Sequence, residues 1–151
     1  FGGGADMTPT FVNKKDTSHF HSKLEEACNQ TNKEYYTKFK KNCDEYFYLP
    51  HREEARGEGG IFFDHLNSSD WEKDFSFVKN VGTKTLEAIT EIIKTHKDKE
   101  WTELEKDKQL IKRGRYVEFN LLWDRGTLFG IKTGGSTEAI LMSMPPTVKW
   151  N

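Results

Sequence analysis

The stretch RYVEFNLLWDRGTLFGIK, Arg115 to Lys132, is the one whose reading decides the fold. Val117, Phe119, Leu121 and Trp123 alternate with Tyr116, Glu118, Asn120 and Leu122. That period of two puts one set of side chains on each face of a strand. Asp124-Arg125-Gly126 supplies turn residues, and Thr127 to Lys132 reads as the returning strand. An antiparallel hairpin is therefore expected here.

Upstream, helical spacing dominates. Phe20, Leu24, Ala27 and Cys28 recur at i, i+4, i+7 and i+8, which predicts a helix from about Thr17. A second helix from about Lys33 to Tyr46 carries Tyr36, Phe39, Cys43 and Phe47, and Pro50 ends it. Ile61-Phe62-Phe63 reads as a buried strand. Ser69 to Glu72 has capping-box spacing for a further helix. Its apolar face would be Trp71, Phe75 and Val78, continued by Leu86, Ile89 and Ile93, with Gly82 as a break point. Trp101, Leu104 and Ile111 mark one more helix, closed by Gly114. At the start, Gly2, Gly3, Gly4 and Pro9 exclude a helix and read as an exposed loop, with Thr10 to Val12 as a short strand. The tail from Ala139 to Trp150 is apolar with two prolines. This order predicts an α+β fold with an antiparallel sheet.

The 151 residues suit one domain. Lys plus Arg is 23 and Asp plus Glu is 24, a net charge of -1, so the basic excess that a broad nucleic-acid surface needs is missing. No apolar run is long enough for a membrane-spanning helix. Cys28 and Cys43 lie on apolar stripes and read as reduced, packed thiols, not as a disulfide framework.

Three places pair glycine with an acid or a base, Gly2 to Asp6, His51 to Gly57 and Asp124 to Gly126, and Gly134-Gly135-Ser136 is a fourth glycine-bearing loop. Two arginines in a loop, Arg52 and Arg56, can grip a carboxylate through paired N–H donors. The plainer readings are Asp residues that cap their own turns and a solvated charge run at 51–57. His19 and His21, two apart on a helix, do not face each other, so one is expected packed and one exposed. Read this far, the residues describe an α+β domain whose loops suit an anionic ligand that also carries hydrogen-bond donors.

The strings FGGGADMTP, FYLPHREEARGEGGIFFDHL, KRGRYVEFNLLWDRGTLFG and ILMSMPP occur in that order along nearly the whole chain. In them the sequence resembles the oxygen-dependent coproporphyrinogen III oxidase family, and Trp123, Leu128 and Met144-Pro145-Pro146 look like its bacterial-type branch. The resemblance implies a large antiparallel sheet flanked by helices, and a homodimer with His51, Tyr116 and Trp150 at the interface. It implies that residues 1–151 are the C-terminal part of a single domain. The upstream half would carry a general-acid histidine and another substrate arginine.

The implied reaction turns two propionates of coproporphyrinogen III into vinyl groups with dioxygen as acceptor, giving protoporphyrinogen IX in haem biosynthesis. No flavin, haem or nicotinamide is implied. Asp6, Asp124 and Arg125 match catalytic positions; Arg56, Gly134, Gly135 and Ser136 match substrate-binding ones. Ser136 stands where the family often has Arg, and Ala55 and His65 replace an Arg and an Asp. His21 and His51 match two of four histidines assigned to a divalent metal in some bacterial-type members. Asp6, Arg56, Arg125 and the 134–136 loop are expected to line one concave site. The cytoplasm is the expected compartment, with the mitochondrial intermembrane space as alternative. The competing function is a non-catalytic relative that binds a tetrapyrrole or another polyanion.

Overall fold

A computed structural model of the protein describes residues 1–150. The elements in chain order are β1 (Gly3–Met7), α1 (Lys14–Asn29), α2 (Tyr35–Tyr46), β2 (Tyr48–Leu49), β3 (Glu54–Ala55), β4 (Gly59–Phe63), α3 (Trp71–His96), α4 (Glu103–Leu122), α5 (Arg125–Lys132) and α6 (Thr137–Leu141). The mixture of helix and strand agrees with the α+β expectation. The sheets are small: β1 pairs with β4, and β2 with β3. The chain divides into two compact units. One is Phe1–Tyr48 with Gly57–Lys99; the other is Leu49–Arg56 with the chain from Glu100 onward.

In the first unit β1 and β4 run antiparallel, with Gly3 opposite Phe63, Ala5 opposite Ile61 and Met7 opposite Gly59. Ala5, Ile61 and Phe63 face a core completed by Phe20, Leu24, Ala27 and Cys28 of α1, Phe39 of α2, and Phe77, Val81 and Ala88 of α3. Phe39, Phe63 and Phe77 form its aromatic centre, with ring centroids 5.2 to 5.9 Å apart. Burial pushes the Cys28 thiol up to about 12, so it stays protonated and behaves as a small apolar side chain.

A line of polar pairs fixes the antiparallel register of α1 on α3: Asp16–His96 at 2.6 Å, His19–Glu91 at 2.7 Å, Lys23–Glu87 at 3.4 Å, Glu26–Lys84 at 2.9 Å and Gln30–Asn80 at 2.8 Å. Such partly exposed pairs contribute a few tenths of a kcal/mol each and matter chiefly for register.

Several expectations for this unit are corrected. The N-terminal glycine run is a strand, not a loop, because β1 lies so close on β4 that side chains at some positions have no room. Thr10–Val12 is not a strand. The cap of α3 is Asp70, whose carboxylate accepts the Lys73 N–H, and not Ser69, which sits at φ 65°. α3 runs unbroken through Gly82, and its buried stripe is Phe77, Val81 and Ala88. Trp71, Leu86 and Ile93 are exposed. Its apolar residues spread over more than one face, and only packing against α1 selects which of them is covered.

In the second unit the expected hairpin is overturned: Glu103–Leu122 is one helix and Arg125–Lys132 another. A capping box starts α4, with the Thr102 side chain on the Glu105 N–H and the Glu105 side chain on the Thr102 N–H. Once nucleated, a run rich in Glu, Lys, Leu, Gln and Arg extends at little cost. Asp124, expected as a turn residue, instead accepts the Thr127 N–H at 2.9 Å and caps α5. A strand would also need a partner. Gly114 does not end α4; the tail crosses it there. The Lys149 carbonyl lies where a Cβ on Gly114 would sit, and the Lys149 N–H donates to the Leu110 carbonyl.

Candidate functional site

The loop Leu49–Arg56 lies against α4. A helix places residues three and four apart on one face, so Arg115, Tyr116, Glu118 and Phe119 all meet this loop. Glu118 is the centre of the contact. Arg52 donates to both of its oxygens, from Nε at 2.9 Å and Nη2 at 2.6 Å. His51 Nε2 donates to Oε2 at 2.7 Å, and Arg115 Nη1 reaches Oε1 at 3.4 Å. Arg115 Nε also donates to Glu54 at 3.0 Å. The Trp123 indole N–H donates to His51 Nδ1 at 3.0 Å. Indole is only a donor, so His51 Nδ1 must accept and the proton sits on Nε2. The bidentate grip expected of this arginine pair is therefore made, by Arg52, on a carboxylate of the protein itself.

The Arg52 hydrogen bonds, then the His51 bond and the surrounding positive charge, hold Glu118 at a pKa of about 2. Arg52 is held above its ordinary value in return, first by its bond to Glu118. A depressed carboxylate stabilises the fold fully above its unfolded value and loses that contribution as pH falls through the folded one. The unit should thus lose on the order of 1–2 kcal/mol between about pH 4.5 and pH 2, after solvent screening. Urea titrations at pH 7 and pH 3 check this: Glu118→Gln should abolish that part of the pH dependence. An unchanged pH slope in the variant would remove Glu118 as its source.

Arg56 ends the loop. It is buried, with 8% exposure, and its guanidinium lies 5.3 Å from the Tyr116 ring centre and 5.0 Å from that of Phe119. Tyr116 is flanked on its own helix by Arg113, at 4.2 Å. The Phe119 carbonyl accepts the Asp124 N–H at 3.0 Å. Phe119 thereby joins Arg56 to the Asp124-Arg125 corner, where Arg125 is exposed at the first position of α5. Gly134 adopts φ 72°, and Ser136 caps the short α6. Gly134, Gly135 and Ser136 are all exposed.

Asp6 belongs to the other unit. On β1 it points away from the core side that Ala5 occupies, and it lies opposite Gly60. Trp150 is exposed.

The two metal candidates are each occupied otherwise. His21 Nε2 donates to the Glu58 carbonyl at 2.9 Å, and Nδ1 accepts from the Tyr36 hydroxyl at 2.9 Å. His51 is held by Glu118 and Trp123. Among the described residues no three His, Cys, Asp or Glu side chains come together as a metal site. His19 and His21 are both half-buried, the first against α3 and the second against α2, because i and i+2 face different neighbours.

Sequence reasoning missed Glu118, Arg115 and Trp123 as one network with the loop. It also missed Asn120, which is buried with no hydrogen-bond partner on its side-chain nitrogen. The usable signal was the charge in His51 to Arg56, too dense for a turn that only had to face water.

No helix among the described residues is long and apolar enough to cross a membrane. The profile of the family described as Coproporphyrinogen III oxidase matches residues 1–151. The chain is 56% identical over 150 residues to a protein of Rickettsia bellii (strain OSU 85-389) named Oxygen-dependent coproporphyrinogen-III oxidase, covering 99% of this chain and 54% of that protein. It is 56% identical over 151 residues to the protein of the same name from Rickettsia akari, and 55% to that of Rickettsia conorii; each comparison covers 100% of this chain and 54% of the relative. The chain thus spans about half the length of the curated relatives it matches.

Proposed function

Because the chain belongs to the coproporphyrinogen III oxidase family, we propose that it is the C-terminal part of an oxidase that converts two propionates of coproporphyrinogen III to vinyl groups in haem biosynthesis. The observation that carries this reading is the similarity along the whole chain to relatives named for that activity. In each step a propionate loses carbon dioxide and the equivalent of a hydride. The two electrons and the proton pass, with one further proton, to dioxygen, which leaves as hydrogen peroxide. Dioxygen is the only oxidant this balance requires, with one proton taken up in each step.

The residues then take the following roles. The substrate carries propionates, which suit arginine, and pyrrole N–H groups, which suit a carboxylate acceptor. Arg56 and Arg125 hold propionates, Asp6 and Asp124 serve the macrocycle, and the 134–136 loop contacts the substrate. The full protein is read as a cytoplasmic homodimer, with the surface that bears Tyr116 and Trp150 near the two-fold axis. Its large antiparallel sheet would grow from the β1–β4 ladder. Sedimentation at micromolar concentration tests the dimer, and a monomer there would count against it.

Anaerobic and aerobic assays of the full-length protein test the activity: oxygen uptake should match carbon dioxide release one to one. Arg125→Ala should raise KM about tenfold or more and also lower kcat, because its partner is charged already in the ground state. Tight binding of the substrate without oxygen uptake would instead favour the non-catalytic tetrapyrrole-binding reading.

A further inference from the structure

We infer that Glu118 is a positioning residue for Arg56: its carboxylate sets the loop 49–56 on α4 so that the Arg56 guanidinium is aimed at a substrate carboxylate. The inference deepens the reading above and rests on Arg56 being a propionate-binding residue.

Three loop side chains, His51, Arg52 and Glu54, are tied to α4, and two of the three ties end on Glu118. Both of its oxygens are used, and its side chain is only 10% exposed. Without its charge, the guanidiniums of Arg52 and Arg115 would meet with Glu54 alone to separate them. Their repulsion would push the loop away from the helix.

That displacement has a short route to Arg56. Arg52 and Arg56 are joined by Glu53, at φ 54°, and by Glu54–Ala55, which are held in a ladder with β2. A non-glycine residue at positive φ and a paired strand leave little slack between the two arginines. Arg56 meanwhile rests on Tyr116 and Phe119, the residues two before and one after Glu118 on the same helix. Helix and loop therefore have to stay in register for the guanidinium to keep its place. A guanidinium grips a carboxylate through two N–H groups in one plane, so a shift of about 1 Å is enough to spoil the fit.

The test is steady-state kinetics of the full-length enzyme with coproporphyrinogen III, well below each variant's melting temperature. Glu118→Gln keeps the volume and removes the charge. It should raise KM about tenfold while kcat stays within about twofold. Glu118→Asp should fall between it and the wild type, and stands in for it if Glu118→Gln does not fold. In an Arg56→Ala background, Glu118→Gln should raise KM no further, because Glu118 acts through Arg56.

A lower melting temperature with wild-type KM in both Glu118 variants would make the network purely structural and overturn the inference. Additive effects of Glu118→Gln and Arg56→Ala would overturn it too. Wild-type KM in Arg56→Ala would instead overturn the role of Arg56 on which the inference stands.

Discussion

Gly60→Ala is expected to destabilise the first unit by more than about 3 kcal/mol, with loss of the cooperative melt at physiological temperature. Gly60 is in β4, opposite Asp6 of β1. A Cβ built on it would run into the Ala5 carbonyl oxygen and lie 2.8 Å from the Asp6 Cα and 2.9 Å from the Ala5 carbonyl carbon. All three are backbone atoms, so no change of rotamer can relieve the clash. The strands must separate, and Ala5, Ile61 and Phe63 then lose their places in the core. Thermal melts followed by far- and near-ultraviolet circular dichroism check this. Gly82→Ala is the matched control: a Cβ there meets nothing within 4 Å, and alanine favours the helix. A Gly60→Ala protein that melts like the wild type would mean that β1 does not lie on β4 as described.

Asp6→Ala should lower turnover by about a hundredfold or more while costing within about 1 kcal/mol of folding stability. The two effects separate because of where Asp6 sits. It lies on the face of β1 away from the core, so truncation opens little cavity, and the ladder bonds of its own backbone remain. In the proposed reaction the macrocycle becomes electron-poor as it passes electrons to dioxygen. A carboxylate that accepts pyrrole N–H bonds stabilises that charge more in the transition state than in the ground state. The loss should therefore appear in kcat, with KM nearly unchanged. Full turnover in a well-folded Asp6→Ala enzyme would leave Asp6 as a strand residue without a part in the chemistry. Together, the two variants separate the β1–β4 ladder as scaffold from the same ladder as a support for chemistry.

The elements that sequence reading found are those whose signal is local. α1 and α2 show the periodicity of their buried residues, Phe20, Leu24, Ala27 and Cys28 on one and Phe39 and Cys43 on the other. β4 is an apolar run bounded by glycines and charges. Their burial pattern and their chemistry point the same way, so the folded chain had no conflict to resolve. The family strings were equally local, and the profile match along residues 1–151 bears out the resemblance.

What failed did so where a non-local choice decided. The alternation at 117–123 is real, yet the capping box at Thr102 and Glu105 starts a helix that runs through it. Period two and period 3.6 cannot be told apart over seven residues in which Leu122 is also apolar. The same holds for α3, where neighbouring helices select Phe77, Val81 and Ala88 from a longer set of apolar residues. At Gly60 it is the packing of β4 on β1 that leaves no room for a side chain, which no neighbouring residue in the sequence signals.

The candidate site divides in the same way. Composition, the positions of α1 and α2, the glycine-flanked acids and bases and the family strings were determined by the order of residues alone. That Arg52 closes on Glu118, that His51 carries its proton on Nε2, and that Arg56 rests on Tyr116 and Phe119 were decided only by the tertiary structure. A charged side chain chooses its partner by distance in space. The order of residues does not set the more than 60 positions between Arg52 and Glu118 to a few ångströms until the loop and the helix have packed.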